Sequence, residues 1–281
     1  MNEIVFLNGA YVERAEACIS PDDRGFIFAD GIYEVTKFYY GKPFRLEDHL
    51  QRLKRSLKEI DIEYERVSEL ETISLTLLEK NNLLNTHAGV YWQISRGAHP
   101  RVHHFPTEIK PTIYAFAFPL PSAEEKLGKG IKVIVQEDIR WKRCDIKSVS
   151  LLPNTMLYNE AVKKGAGESI LVRDGYVTEA THSGLFTVKN GVLITRPLSN
   201  LILPSITRKV VLELCAENQL SVEEKLFAEA ELKEMDEVFI CGTGSEILPV
   251  VEVDDVRIGN GEPGPVTRKI QQLFFEAVNK L

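Results

Sequence analysis

At 281 residues, with 44% hydrophobic and 27% charged side chains, the chain is long enough for two modest globular domains and has the mix of an ordinary folded protein. A formal net charge of −7 argues against nucleic acid, which favours basic patches, but leaves small anionic ligands open because local fields steer those. Cys18, Cys144, Cys215 and Cys241 stand without CxxC spacing, which points away from a disulfide framework and toward a reducing compartment.

The N-terminal run MNEIVFLNGA carries an acid and lacks a basic n-region, so no signal peptide is expected. No apolar segment approaches the ~20 residues that cross a bilayer, and a cytoplasmic protein without a membrane partner is expected. Ile4 to Leu7 and Ala10 to Val12 read as a β-hairpin through Asn8-Gly9, the strongest two-residue turn signal. After the glycine-broken run from Ser20 to Gly31 comes a strand, Ile32 to Tyr40, turning at Gly41-Lys42. Leu50, Leu53, Leu57 and Ile60 recur at helical spacing, with Arg52 off that stripe beside Leu53. Ser68-Glu-Leu-Glu71 has the form of a capping box opening a second helix with Leu70, Ile73 and Leu77 inward. Ala88 to Arg96 and Thr112 to Phe118 are strands, separated by a loop holding His99-Pro-Arg101-Val-His103-His104.

Residues 119–130 combine prolines, glycines and charge and are read as a linker between a domain of residues 1–118 and one of residues 131–281. The second half opens with a strand from Ile131 to Gln136. A helix from Asn154 to Lys164 stops at Gly165, and strands follow at Ser169 to Arg173 and Tyr176 to Thr178. Leu185 to Thr195 is a hairpin through Asn190-Gly191. Ser205 caps a helix with Ile206, Val210, Val211, Leu214 and Cys215 inward. Glu237 to Cys241 is a strand, and the last helix carries Val266, Ile270, Leu273, Phe274 and Val278. There is no internal repeat. The fold class is α/β (α+β) with two domains.

Chemistry concentrates between Glu137 and Leu152, where Arg140, Lys142, Arg143 and Lys147 interleave with Ile139, Trp141, Cys144 and Ile146. That pattern suits a strand edge facing a partly buried pocket, although a solvated basic loop reads equally well. Desolvation and neighbouring like charge both favour a neutral amine, the form that attacks a carbonyl to give a Schiff base. Two places are shaped for an anion: the helix start at Ser205-Ile206-Thr207, and Gly242-Thr243-Gly244-Ser245 after a strand. Taken singly, each is better explained by ordinary capping and turning. Neither a Walker loop nor a Rossmann fingerprint is present. The histidines at 99, 103 and 104 lack companion ligands, so no metal is expected, and Arg101 with His103 reads better as a carboxylate clamp or an exposed basic loop. Glu179 ends a strand.

Together these motifs resemble the fold-type IV pyridoxal-phosphate enzymes, the group holding the D-amino acid aminotransferases, branched-chain aminotransferases and aminodeoxychorismate lyases. The resemblance runs through Asp23-Arg-Gly-Phe, Asp30-Gly-Ile-Tyr-Glu34, Asp48-His-Leu-Gln-Arg52, Pro100-Arg-Val-His103, Asp138-Ile-Arg-Trp, Asp145-Ile-Lys147-Ser, Val177-Thr-Glu179, Ile206-Thr-Arg208 and Thr243-Gly-Ser-Glu246. It implies a small N-terminal α/β domain, a larger C-terminal domain of sheet or barrel with helices, and pyridoxal 5'-phosphate as cofactor. Lys147 would carry the cofactor and move the proton, with Glu179 against the pyridine nitrogen. Arg52, Leu203, Ile206, Thr207, Gly242 and Thr243 would surround cofactor and phosphate. Tyr33, Arg101 and His103 would trap a substrate carboxylate, the loop coming from a neighbouring subunit of a homodimer, while Arg140 would orient the tyrosine and lysine region. His182 stands where relatives more often carry a small residue, against cofactor or substrate. Gly242 replaces a frequent hydroxyl, which moves phosphate binding toward backbone amides. The implied reaction passes an amino group from a D-amino acid such as D-alanine to a 2-oxo acid, 2-oxoglutarate or pyruvate. An L-branched-chain or (R)-amine transaminase, the lyase, and a silent metabolite-binding protein are the rival readings.

Overall fold

The computed structural model describes residues 3–281. The chain divides into two compact units: Met1–Pro121 with Ile146–Ser150, and Ser122–Asp145 with Leu151–Leu281. It therefore enters the second unit, returns briefly to the first around Lys147, and leaves again.

The first unit is built on an antiparallel sheet. Asn8 and Gly9, both at positive φ, join β1 (Ile4–Leu7) to β2 (Ala10–Glu13). The short α1 (Arg24–Phe28) starts where the Asp23 carboxylate accepts from the Gly25 amide at 2.8 Å. There follow β3 (Gly31–Tyr39), β4 (Lys42–Pro43), α2 (Leu46–Glu59), α3 (Leu70–Lys80), β5 (His87–Ser95) and β6 (Thr112–Pro119). The six strands lie in the order β2-β1-β6-β5-β3-β4. Alternation along β5 and β6 sends Ala88, Val90, Trp92, Ile94, Ala115 and Ala117 into one core with Leu53, Leu57, Leu70 and Leu77 of the helices. The other face is aromatic, with Tyr91 stacked between Tyr33 and Phe116.

The exposed edge of β3 is closed by the returning segment. Ser148 bridges Ile32, the Tyr33 amide donates to the Lys147 carbonyl at 2.9 Å, and the Val149 amide donates to the Gly31 carbonyl at 3.0 Å. Ile146, just before the lysine, is buried in the same core as Leu53 and Phe38.

The second unit holds α4 (Glu124–Lys129), β7 (Ile131–Glu137), α5 (Leu152–Lys163), β8 (Glu168–Arg173), β9 (Tyr176–Ala180), β10 (Gly184–Lys189), β11 (Val192–Thr195), α6 (Ile206–Glu217), β12 (Val222–Glu224), α7 (Glu229–Leu232), β13 (Glu237–Gly242), β14 (Glu246–Val253), β15 (Val256–Arg257) and α8 (Pro265–Val278). Its nine-stranded mixed sheet runs β12-β11-β10-β13-β14-β7-β8-β9, with β15 on β14. In a flat sheet β9 and β10 would lie roughly 24 Å apart, five strand spacings. The link from Ala180 to Gly184 spans at most about 14 Å. The sheet must therefore curl toward closure, and the Ala180 amide does meet the Ser183 carbonyl at 2.9 Å. Val133, Ile170, Val177, Leu185, Val238, Ile240 and Val250 fill the interior.

Three local expectations change. The stretch read as a strand edge is no strand: between β7 and α5, residues 138–151 are irregular apart from the single bridge at Ser148. Ser68 makes no capping box, because Arg66–Glu69 is already a 3-10 turn that runs straight into α3, leaving no extended cap residue. Residues 119–130, read as a linker, contain α4, and the division of the chain falls at Pro121, with Ile146–Ser150 grouped in the first unit. No helix among the described residues is long and apolar enough to cross a membrane.

Candidate active site

Lys147 is held at its backbone by the β3 edge and by Ser56 Oγ, which accepts its amide at 3.3 Å. Its side chain remains partly open, with Nζ 4.2 Å from the centre of the Tyr33 ring. Tyr33 and Lys147 thus come together as the motifs suggested. Beneath them is a buried ionic cluster. Arg52 grips Glu34 with Nε at 2.9 Å and Nη2 at 2.6 Å, and His49 Nδ1 lies 3.0 Å from the same carboxylate. Burial alone would push the Glu34 carboxyl up; Arg52 and His49 reverse this and hold it well below the usual carboxylate range. Burial pushes the His49 imidazole down, against the attraction of Glu34. Arg52 lies off the apolar stripe of α2 yet is buried, because its helix face meets an acid at a core position of β3. Neither Glu34 nor His49 was singled out from sequence. The available signal was an acid at an inward position between Ile32 and Phe38.

In the second unit the Glu179 carboxylate sits at the end of β9, 6% exposed. Arg140 Nη1 donates to it at 2.6 Å, and the Leu203 amide lies 3.2 Å from both oxygens. Arg140 also binds Asp138 through Nε and Nη2, both at 2.9 Å, and reaches the Leu201 carbonyl. The guanidinium expected to orient the tyrosine and lysine region is therefore directed at two acids, Asp138 and Glu179. Arg143 likewise pairs with Asp145, so the cationic crowding read from this stretch is largely compensated. Burial pushes the Glu179 carboxyl up, and Arg140 only partly opposes it.

The amides of Ile206 and Thr207 open α6, whose cap Ser205 accepts from the Arg208 amide at 3.2 Å. Close by in the same unit, the turn after β13 brings Ser245 Oγ to 2.8 Å from Ser183 Oγ. A Cβ at Gly242 would approach these hydroxyls to 2.9 and 3.4 Å, and one at Gly184 would meet Cys241 Sγ at 3.3 Å and Ser205 Cβ at 3.6 Å. Glycine at both positions lets these hydroxyls and the cap of α6 approach closely. The hydroxyl absent at Gly242 is thus matched by Ser245, part of the anion-shaped run read from the sequence, and by Ser183, which that reading did not name. His182 is half exposed and meets Tyr158 edge-on at 5.1 Å. Its Nδ1 lies 2.7 Å from Oε2 of the fully buried Glu168, without the alignment of a hydrogen bond, while Thr181 Oγ1 lies 2.9 Å from the same nitrogen.

Residues 31–253 match the family model for amino-transferase class IV. The chain belongs to the class IV amino-transferases. Among relatives, D-alanine aminotransferase of Bacillus licheniformis is 41% identical over 98% of this chain and 96% of its own length, and that of Staphylococcus haemolyticus is 43% identical over 96% of each. Among solved structures, the Escherichia coli branched-chain amino acid aminotransferase superposes with a TM-score of 0.91 at 29% identity, covering 98% of this chain and 94% of that one. The branched-chain amino acid aminotransferase from Thermobaculum terrenum in its PLP form gives 0.87 at 25% identity, covering 99% and 94%.

The residues of this class IV amino-transferase fit pyridoxal 5'-phosphate, a phosphorylated pyridine. The start of α6 offers amides, and Ser183 with Ser245 paired hydroxyls, to a phosphate, and Glu179 is a buried, oriented acid for a ring nitrogen. Arg101 and His103 are exposed on the loop between β5 and β6, where both face the Phe28 ring.

Proposed function

We propose that this protein is a pyridoxal 5'-phosphate-dependent D-amino acid transaminase that passes the amino group of a D-amino acid to a 2-oxo acid in two half-reactions. The observation that carries the reading is identity of about 40% over nearly the whole chain with D-alanine aminotransferases, in a protein that has both Lys147 and a buried Glu179. Bound to this chain, the cofactor supplies a conjugated ring that takes up the electron pair left when the Cα–H bond of the amino acid breaks.

Lys147 holds the cofactor and carries the proton from Cα and back again. Glu179, kept in place by Arg140 and the Leu203 amide, would accept a hydrogen bond from the pyridine nitrogen and so keep that nitrogen protonated. Ile206, Thr207, Thr243, Ser183 and Ser245 bind the phosphate, while Arg52, which the resemblance also assigns to it, pairs with Glu34. Arg101, His103 and Tyr33 fix the α-carboxylate, and the orientation they impose decides which face of Cα meets the lysine. The protein acts as a homodimer in the cytoplasm. Leu152, Met156 and Val162, exposed on α5, support an association surface, and four free thiols suit a reducing compartment.

Half-reactions followed by visible absorbance test the reading. D-Alanine is expected to convert the cofactor band within seconds while L-leucine, (R)-1-phenylethylamine and aminodeoxychorismate leave it unchanged. Conversion by L-leucine alone would make the protein a branched-chain enzyme instead.

A further inference from the structure

We propose that Arg24 is the positioning residue of the substrate-carboxylate clamp, acting through the backbone between Arg101 and His103. The inference rests on the reading that those two side chains take the carboxylate. Their loop is irregular and both side chains are exposed, so its conformation must be fixed from below. Arg24, 3% exposed, donates from Nη1 to the Val102 carbonyl at 2.6 Å. That carbonyl lies directly between the two clamp residues.

Arg24 is itself held. Its Nε donates to Asp30 at 2.7 Å, and Asp30 also binds Arg96 through Nε at 2.8 Å and Nη2 at 3.0 Å. Arg96 continues to the carbonyls of Ile60 and Asp61, just past the end of α2. A continuous run of buried, charge-assisted hydrogen bonds therefore leads from a helix end to the middle of the clamp. The Phe28 ring adds a second contact. It lies 4.7 Å from the Arg24 guanidinium carbon, 5.2 Å from that of Arg101 and 5.5 Å from the His103 ring. Arg24 thus touches both the backbone between the clamp residues and the ring against which their side chains rest. A lysine at this position would keep the charge but lacks the planar fork that serves Asp30 and Val102 together.

The test compares full-length, cofactor-loaded wild type with Arg24→Met, Arg24→Lys, Arg101→Ala and the Arg24→Met/Arg101→Ala double variant. For Arg24→Met the KM for D-alanine is expected to rise about tenfold or more with kcat nearly unchanged, and Arg24→Lys to recover part of the loss. Amide hydrogen exchange should quicken within residues 97–111 and not elsewhere. In the Arg101→Ala background Arg24→Met should raise KM no further, as coupling through one clamp requires. A folded Arg24→Met protein with unchanged KM, or additive effects in the double variant, would overturn the inference. An Arg101→Ala protein with normal KM would overturn the clamp reading itself, which separates the two failures. Should Arg24→Met not fold, Phe28→Leu decides: an intermediate rise in KM supports the inference and no rise refutes it.

Discussion

Glu179 is a carboxylate held where its charge is disfavoured. Burial pushes its carboxyl up, so its contribution to stability is full below about pH 4.3, the ordinary glutamate value, and is lost as pH rises through the elevated folded value. Glu34 behaves oppositely: with its carboxyl held low by Arg52 and His49, it stabilises above about pH 4.3 and loses that contribution as pH falls. The two acids therefore separate by role. Replacing Glu179→Gln in the cofactor-free protein is expected to leave the melting temperature at pH 8 equal to wild type or above it, since Arg140 keeps Asp138 as partner. In the loaded enzyme kcat should fall about 100-fold or more. A destabilised variant that keeps its activity would contradict this assignment. A carboxylate that adds nothing to the stability of the empty protein at pH 8 is what the proposed pairing with a cationic ring leads one to expect.

At the scale of elements, the hairpin joining β13 to β14 and the start of α6 close around Gly184 and Gly242, where a larger side chain would crowd Ser245 and Ser205. Gly242→Ala would bring a methyl carbon to 2.9 Å from Ser245 Oγ and push that hydroxyl from its place. The dissociation constant for pyridoxal 5'-phosphate is expected to rise about tenfold, roughly the net worth of one hydrogen bond to a charged group. Fluorescence titration of the cofactor-free protein measures it, and an unchanged value would remove Gly242 from the phosphate site. Elements with apolar periodicity and Asn-Gly turns were legible in the sequence, since period and turn chemistry are local. The polar stripe of α2, His49, Arg52 and Ser56, was not, because apolar periodicity passes over buried residues held by ion pairs. β14 also escaped notice, since Pro249 argues against a central strand, yet it lies between β13 and β7. Ser183 and Ser245, 62 positions apart in sequence, meet only through the register of β10 on β13.

Across the whole molecule, the path of the chain matters more than its composition. Residues 122–145 belong to the second unit, and the strap carrying Lys147 then returns to β3 of the first. The lysine is thereby tied to a sheet edge by backbone hydrogen bonds at its own carbonyl and at the Val149 amide, and anchored by Ile146, 5% exposed in the first unit's core. Ile146→Ala is expected to cost about 2–5 kcal/mol, read as a fall in melting temperature, and to weaken cofactor binding together with stability. Loss of neither would show that the strap is held by its backbone alone. No composition or spacing argument could foresee this return, because it depends on which strand edge the fold leaves open. The family resemblance carried the lysine's role where local reading had left a basic loop equally open.

The most direct measurement is borohydride reduction of the cofactor-loaded protein followed by peptide mapping. A phosphopyridoxyl group on Lys147 and on no other lysine is the expected result. A reduced adduct elsewhere, for instance on the buried Lys37, or no adduct at all, would contradict the account.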